Sequence, residues 1–207
     1  MKEIKVKIRF IEEALGTLPA NKKVYSDFIA SLAPDAATRE EEIANAGVEE
    51  YAEKQVTVFA RNEKGEIGMY GYQWRGFFKE ACGILKKMPN TISSNITANK
   101  KLIDNYVFIK ERFIPINING AVGICERPLR ASTPQGDRNA LAMSESVPEG
   151  STCEFTVMLA LEKTAAAKGK PAIDYAEALI EWLQYGMFKG YGQWRNSGKG
   201  RFEFDIE

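Results

Sequence analysis

The opening of the chain, "KEIKVKIRF", puts Ile4, Val6, Ile8 and Phe10 on one side of an extended segment and charged residues on the other. That period-two alternation predicts a strand with one face buried and the other turned to water. "STCEFTVMLALE" repeats the pattern, with Cys153, Phe155, Val157 and Leu159 alternating against Thr152, Glu154, Thr156 and Met158. "RFEFDIE" closes the chain with a third such strand, and Val56 to Phe59 reads as a shorter one before the turn "NEKGE".

Between these strands the period changes. From Gln73 to Lys86 the apolar residues Trp74, Phe77, Phe78, Ala81, Ile84 and Leu85 recur at helical spacing, after a glycine-rich lead-in and before Pro89. Asp174 to Met187 predicts a second helix, with Tyr175, Ala178, Leu179, Trp182 and Leu183 on one face, Asp174 as N-cap and Gly186 near its end. Tyr25 to Leu32 reads as a short helix, and residues 33–54 as a solvated, acidic helical insertion. Residues 88–150 read as a loop-rich, thumb-like insertion with short strands at Tyr106 to Ile109 and Phe113 to Ile116; "RASTPQGDR" within it has the composition of an exposed connection. The order strand, insertion, strand, helix, long loop region, strand, helix, strand predicts an α+β fold. The expected architecture is a ferredoxin-like or RRM-type antiparallel sheet with two helices, in a single domain spanning 1–207.

Composition narrows the chemistry. The 207 residues are 44% hydrophobic and 27% charged, enough for a real core. No run of eighteen apolar residues and no signal-peptide pattern occurs, so an intracellular, cytoplasmic protein with no membrane partner is expected. Histidine is absent, which removes the commonest general base, the Ser-His and Cys-His pairs and the usual zinc ligand. Cys82, Cys125 and Cys153 are far apart and read as small buried hydrophobes rather than metal ligands. No metal, no cofactor and no catalytic residue is expected.

Lys plus Arg equal Asp plus Glu at 28 each, but the charge is segregated. Ser31 to Glu53 holds seven acids against Arg39 alone, Arg61 to Arg138 thirteen cations against seven acids, and Gly186 to Arg201 four cations and no acid. A neutral chain arranged this way can present one basic face. In "GYGQWRNSGKGRFEF", Gly190, Gly192, Gly198 and Gly200 alternate with Tyr191, Gln193, Trp194, Arg195, Asn196, Lys199 and Arg201. Backbone N–H groups of a glycine-rich loop can converge on a phosphate, cations add charge, and aromatic faces can stack on bases. That chemistry suits a single strand of nucleic acid better than a duplex. For Trp194 a second reading stands beside it, a ring that merely anchors the loop on the protein.

"GYQWRG" and "YGQWR" repeat the same chemistry at Gly71 to Gly76 and Tyr191 to Arg195. The expectation is that the two segments lie side by side as loops and form one phosphate-binding groove, with Arg75, Lys79, Arg195 and Lys199 facing it. Trp74 and Phe77 are alternatively just the buried face of the helix.

Three segments together resemble the RAMP superfamily of CRISPR-associated proteins, in its Cas7-like branch. "YGYQWRGFFKEACG" is similar to the family's glycine-containing turn feeding a helix with a basic residue near its start. "RPLRASTPQGDRNALAMSESVPEGSTCEFTV" resembles an arginine-rich thumb-type loop leading into a strand, and "GYGQWRNSGKGRFEF" the family's C-terminal glycine-rich loop. The resemblance covers about half the chain, and Gln73 and Trp74 depart from the usual lead-in. It implies an RRM-like core and loops that bind RNA backbone, in which Arg127, Arg130 and Arg138 reach over a bound strand or dock on the next subunit. It also implies single-stranded, crRNA-like RNA and further CRISPR-type subunits or copies of itself as partners. The compact chain and its acidic insertion fit a stand-alone or phage-encoded relative. Two alternatives remain at this stage: an assembly module that grips protein rather than RNA, and a carboxylate-dependent ribonuclease working through Asp27 or Asp35.

Overall fold

In the computed structural model residues 1–20, 56–133, 136–164 and 171–207 are described, with 129–140 described by their backbone alone. The first alternating segment is strand β1 (Lys2–Phe10): Ile4, Val6, Ile8 and Phe10 are buried, while Lys5, Lys7 and Arg9 are exposed. Two antiparallel neighbours flank it. β11 (Thr152–Leu159) pairs with Ile4 opposite Val157, and β12 (Phe202–Ile206) pairs with Ile8 opposite Phe204. Beyond β11 come β7 (Val107–Ile109) and β8 (Phe113–Asn117), and beyond β8 come β6 (Ile67–Tyr70) and β5 (Ala60–Arg61). If β1, the β7 and β8 segments, β11 and β12 are taken as first to fourth, they lie in the order fourth, first, third, second. Every adjacent pair is antiparallel, which is the ferredoxin-like α+β arrangement.

Helices α1 (Gly71–Leu85) and α3 (Tyr175–Lys189) cover the apolar face of this sheet. Trp74, Phe77, Phe78, Ala81 and Cys82 from α1 meet Tyr175, Leu179, Trp182 and Leu183 from α3 over Val6, Ile8, Phe155 and Phe202. Each large side chain removed from water here contributes about 1.5–3 kcal/mol before entropy is counted. Burial pushes the thiol pKa values of Cys82 and Cys153 up, as expected of inert core cysteines. A short α2 (Asn99–Tyr106), not foreseen from the sequence, packs beside α1.

Two sequence expectations are corrected. Gly71 to Gly76 is the first part of α1 rather than a loop, because strand β6 runs directly into the helix. Gln73 Oε1 accepts from the Tyr70 N–H at 2.8 Å, and the Gly71 N–H is taken by the Arg112 carbonyl at 2.9 Å. Gly186 lies in the last turn of α3, near its end as expected. A Cβ there would come within 2.3 Å of the Phe202 ring, and the helix is capped by Gly190. The second correction concerns residues 88–150, which carry a long hairpin where polarity suggested loop. β9 (Gly123–Thr133) and β10 (Gly136–Val147) pair along their length, with Arg130 opposite Asn139 and Arg138 opposite Ala131. A ladder held by backbone hydrogen bonds needs no apolar alternation along its strands, so the period signal was missing.

The base of the hairpin belongs to a second sheet of five strands. β10 is joined by β2 (Ala14–Leu15) and, in parallel, by β4 (Val56–Val58), which in turn pairs with β3 (Leu18–Pro19). Leu18, Val56, Val58, Ala60 and Tyr70 form a smaller core under it. The acidic insertion 33–54, the Tyr25 to Leu32 helix, Asp27 and Asp35 lie outside the described residues.

Candidate nucleic-acid interface

Two surfaces of a ferredoxin-like sheet can meet a ligand, its open face and its loop edge. The open face here is charged with both signs. A groove of about 480 Å³ is lined by Lys5, Lys7, Glu111, Glu154, Thr156, Asp205 and Glu207, and Lys7 already pairs with Glu154 at 3.2 Å. Four carboxylates facing two ammonium groups do not suit a polyanion. No exposed ring stands among these residues for a base to stack on.

The loop edge is different. Trp74 of α1 and Tyr191 of the C-terminal loop stack in the core, with centroids 4.5 Å apart and an interplanar angle of 23°. Gln73 Nε2 donates to Thr17 Oγ1 at 2.8 Å, and Leu15 forms a bridge with Gly192. Arg127, at the start of the hairpin, donates to Ser144 Oγ at 3.0 Å and to Gln193 Oε1 at 3.4 Å. Its guanidinium lies 5.5 Å from the centre of the Trp194 ring. The three segments singled out in the sequence therefore meet at one place, through Trp74, Tyr191, Gln193, Trp194 and Arg127.

Within the meeting place the residues have separate fates. Tyr191 is buried, and burial raises its hydroxyl well above the usual phenol range, so its ring serves the core. Trp194 is 39% exposed and sits in the left-handed backbone region at φ 53°, a conformation rare for a bulky residue and one that clusters at functional sites. Ser197 holds it there, donating to the Trp194 carbonyl from its N–H at 3.1 Å and from its hydroxyl at 2.9 Å. The glycine-rich loop is structured rather than open. The N–H groups of Gly190, Tyr191, Ser197, Gly198 and Gly200 bond to the carbonyls of Gly186, Gly200, Trp194, Arg195 and Glu13 respectively. Those donors are spent within the protein and do not cradle an anion.

The cations expected to face one groove divide between partners. Arg75 reaches Asp104 at 4.0 Å and Lys79 pairs with the same carboxylate, both across the α1–α2 contact. Arg195 pairs with Glu80 at 3.0 Å, and Lys199 with Glu13 at 2.7 Å. Arg201 Nε donates to the Met187 carbonyl at 3.2 Å, while Asn196 Oδ1 accepts from Lys189 Nζ at 3.1 Å. Arg130 and Arg138 lie on the hairpin's facing strands, farther along the ladder from its base than Arg127.

Sequence reasoning did not single out Ser144, Glu145 or Thr57. Glu145 is buried, pairs with Arg61 and accepts from the Phe59 N–H at 2.9 Å; Thr57 Oγ1 and Ser144 Oγ are 2.7 Å apart. The triplet "SES" falls inside the thumb-type segment that carries the family resemblance, but its burial at a strand end is not visible in the sequence. Among the described residues no group of three or more Cys, Asp or Glu converges to hold a metal ion, and no helix is long and apolar enough to cross a membrane.

No protein-family model matches the sequence, and no curated protein matches it. Among solved structures, a chain of the Type III-B Cmr-beta complex bound to cognate target RNA, determined by cryo-electron microscopy, has a TM-score of 0.53 at 10% identity. The match covers 99% of this chain and 59% of that one, so the chain spans about three fifths of that subunit's length. A chain of a Type IV-B CRISPR complex has a TM-score of 0.44 at 10% identity, over 100% of this chain and 90% of that chain. The likeness to the Cmr-beta chain is one of fold.

Proposed function

We propose that the protein is a RAMP-like, Cas7-type subunit that binds single-stranded RNA, mainly through its phosphate backbone, without cutting it. It would act in the cytoplasm, as part of a ribonucleoprotein built from copies of itself or from other CRISPR-type subunits. One observation carries this reading. The start of α1, the base of the β9–β10 hairpin and the C-terminal glycine-rich loop, distant in sequence, touch through Arg127, Gln193, Trp194, Tyr191 and Trp74. The fold shared with a chain of an RNA-bound CRISPR complex supports it.

The test is binding of a fluorescent single-stranded RNA in a salt series, with the RNA's length checked after prolonged incubation with divalent metal. Affinity that falls steeply with salt, with the RNA intact, is the expected result. Absence of binding at low salt overturns the reading, and shortened RNA overturns its non-catalytic part. A second reading, an assembly module that grips protein, is favoured by the ion pairs that already engage Arg75, Lys79, Arg195 and Lys199. A nucleic-acid-free oligomer after purification, seen by absorbance ratio and mass, supports that reading over the first.

A further inference from the structure

Arg127 is 5% exposed, and among the described residues no carboxylate lies within ion-pair distance of it. A guanidinium carries five N–H donors and a full charge. Here its acceptors are two neutral oxygens, Ser144 Oγ at 3.0 Å and Gln193 Oε1 at 3.4 Å. The nearby buried carboxylate, Glu145, is committed to Arg61 and the Phe59 N–H, and Ser144 is shared with Thr57. Buried charges in proteins are ordinarily paired, so a cation left with neutral partners is a site built for an anion from outside. Its cover is the indole of Trp194, centred 5.5 Å away and 39% exposed. An aromatic face is a weaker partner for a guanidinium than a bidentate oxyanion.

We propose that Arg127 is a phosphate-binding site, closed in the free protein by Trp194. A phosphate group docks on the guanidinium fork beside Ser144 and Gln193, and the displaced indole becomes a stacking face for the adjacent base. The phosphate's source, an RNA strand, rests on the function proposed above; the anion site itself does not.

Tryptophan emission reads the site directly, because Trp74 and Trp182 are fully buried and a Trp194→Phe variant isolates the third signal. The full chain is titrated with a single-stranded uridine oligomer of about 15 nucleotides, within the usual range for one binding fold, and separately with inorganic phosphate against sodium chloride of equal ionic strength. Both probes are expected to change Trp194 emission. Arg127→Gln is expected to weaken RNA binding about tenfold or more and to lower the slope of log affinity against log salt by about one; Arg127→Lys retains the slope. RNA binding that is indifferent to Arg127→Gln, with Trp194 emission unmoved, overturns the site and leaves the proposed function standing. A phosphate response that requires Arg127, without RNA binding, supports the site and overturns that function. Silence from both probes overturns both. If Arg127→Gln does not fold, the wild-type response of Trp194 to phosphate against chloride decides alone.

Discussion

The tripeptide Gln-Trp-Arg occurs twice, at Gln73–Arg75 and Gln193–Arg195, and the fold uses the two copies in opposite ways. In the first, the helix turns Trp74 into the core against Phe77, Phe155, Tyr191 and Phe202, and Gln73 caps the helix start. In the second, a left-handed turn leaves Trp194 at the surface over Arg127, with Gln193 accepting from the same guanidinium. Backbone conformation sends one indole inward to give stability and leaves the other partly exposed at the surface. The arginines differ less: Arg75 pairs with a carboxylate on α2, and Arg195 with Glu80 on α1.

The largest test of this contrast is Trp74→Ala against Trp194→Ala. Removing a fully buried indole is expected to cost about 3–5 kcal/mol, whereas Trp194→Ala should cost about 1–2 kcal/mol, the scale of a partly desolvated cation–π contact. Urea unfolding of both variants measures the difference. Equal losses would break the distinction between a structural and a ligand-facing tryptophan.

A smaller effect separates the glycines that set the second turn. Gly200 has φ 70°, and a Cβ there would lie 1.8 Å from the Tyr191 carbonyl oxygen, so the loop must shift to admit one. Gly198, at φ 87°, has open space, with Arg201 Cδ nearest at 3.9 Å. Gly200→Ala is therefore expected to cost about 2–3 kcal/mol through overpacking and strain, and Gly198→Ala about 1 kcal/mol from backbone strain alone. Urea midpoints that coincide would show that the turn is held by something other than close packing on Tyr191.

The same contrast explains what could be read from the sequence. β1, β11, β12 and the two covering helices were legible because each has one buried face, and burying one face imposes a period. Of the second sheet only β4 was legible, as the strand read at Val56 to Phe59. β2 and β3 are two residues long, and the β9–β10 ladder is stabilised by cross-strand pairing rather than by an apolar stripe. For the candidate site, the sequence brought into view three segments that the fold places in contact, since glycines, cations and aromatics mark unusual backbone. Their hydrogen-bond and ion-pair partners were not legible. Five of the loop N–H groups satisfy carbonyls of the protein itself, the four cations expected to face the groove are ion-paired, and Arg127, a buried cation with no carboxylate partner among the described residues, lies outside the tripeptide repeat. Pairing between distant residues decides that outcome, and composition holds no record of pairing.

The smallest effect concerns what ties the second turn down. Glu13 is held against Lys199 at 2.7 Å, and its backbone carbonyl accepts from the Gly200 N–H at 2.8 Å. Burial pushes the Glu13 carboxyl up, but hydrogen bonds from Lys199 and Ser146 outweigh it and hold it below the usual carboxylate range. A folded-state value below the unfolded one means that the contribution is whole above the ordinary carboxylate range and disappears as pH falls through the folded value. At the other end, the hydrogen bond to Glu13 raises Lys199, so the contact is lost in alkali only as pH rises past the raised value. For a partly exposed pair the loss in acid should be under about 1 kcal/mol. Glu13→Gln should remove that part of the acid dependence, seen as the difference between the variant and wild-type stability profiles. Trp194 emission should follow the same titration, because its turn is released, while the buried Trp74 and Trp182 report nothing until global unfolding. Superimposable profiles for Glu13→Gln and wild type would mean that the glycine contacts alone hold the second tripeptide in place.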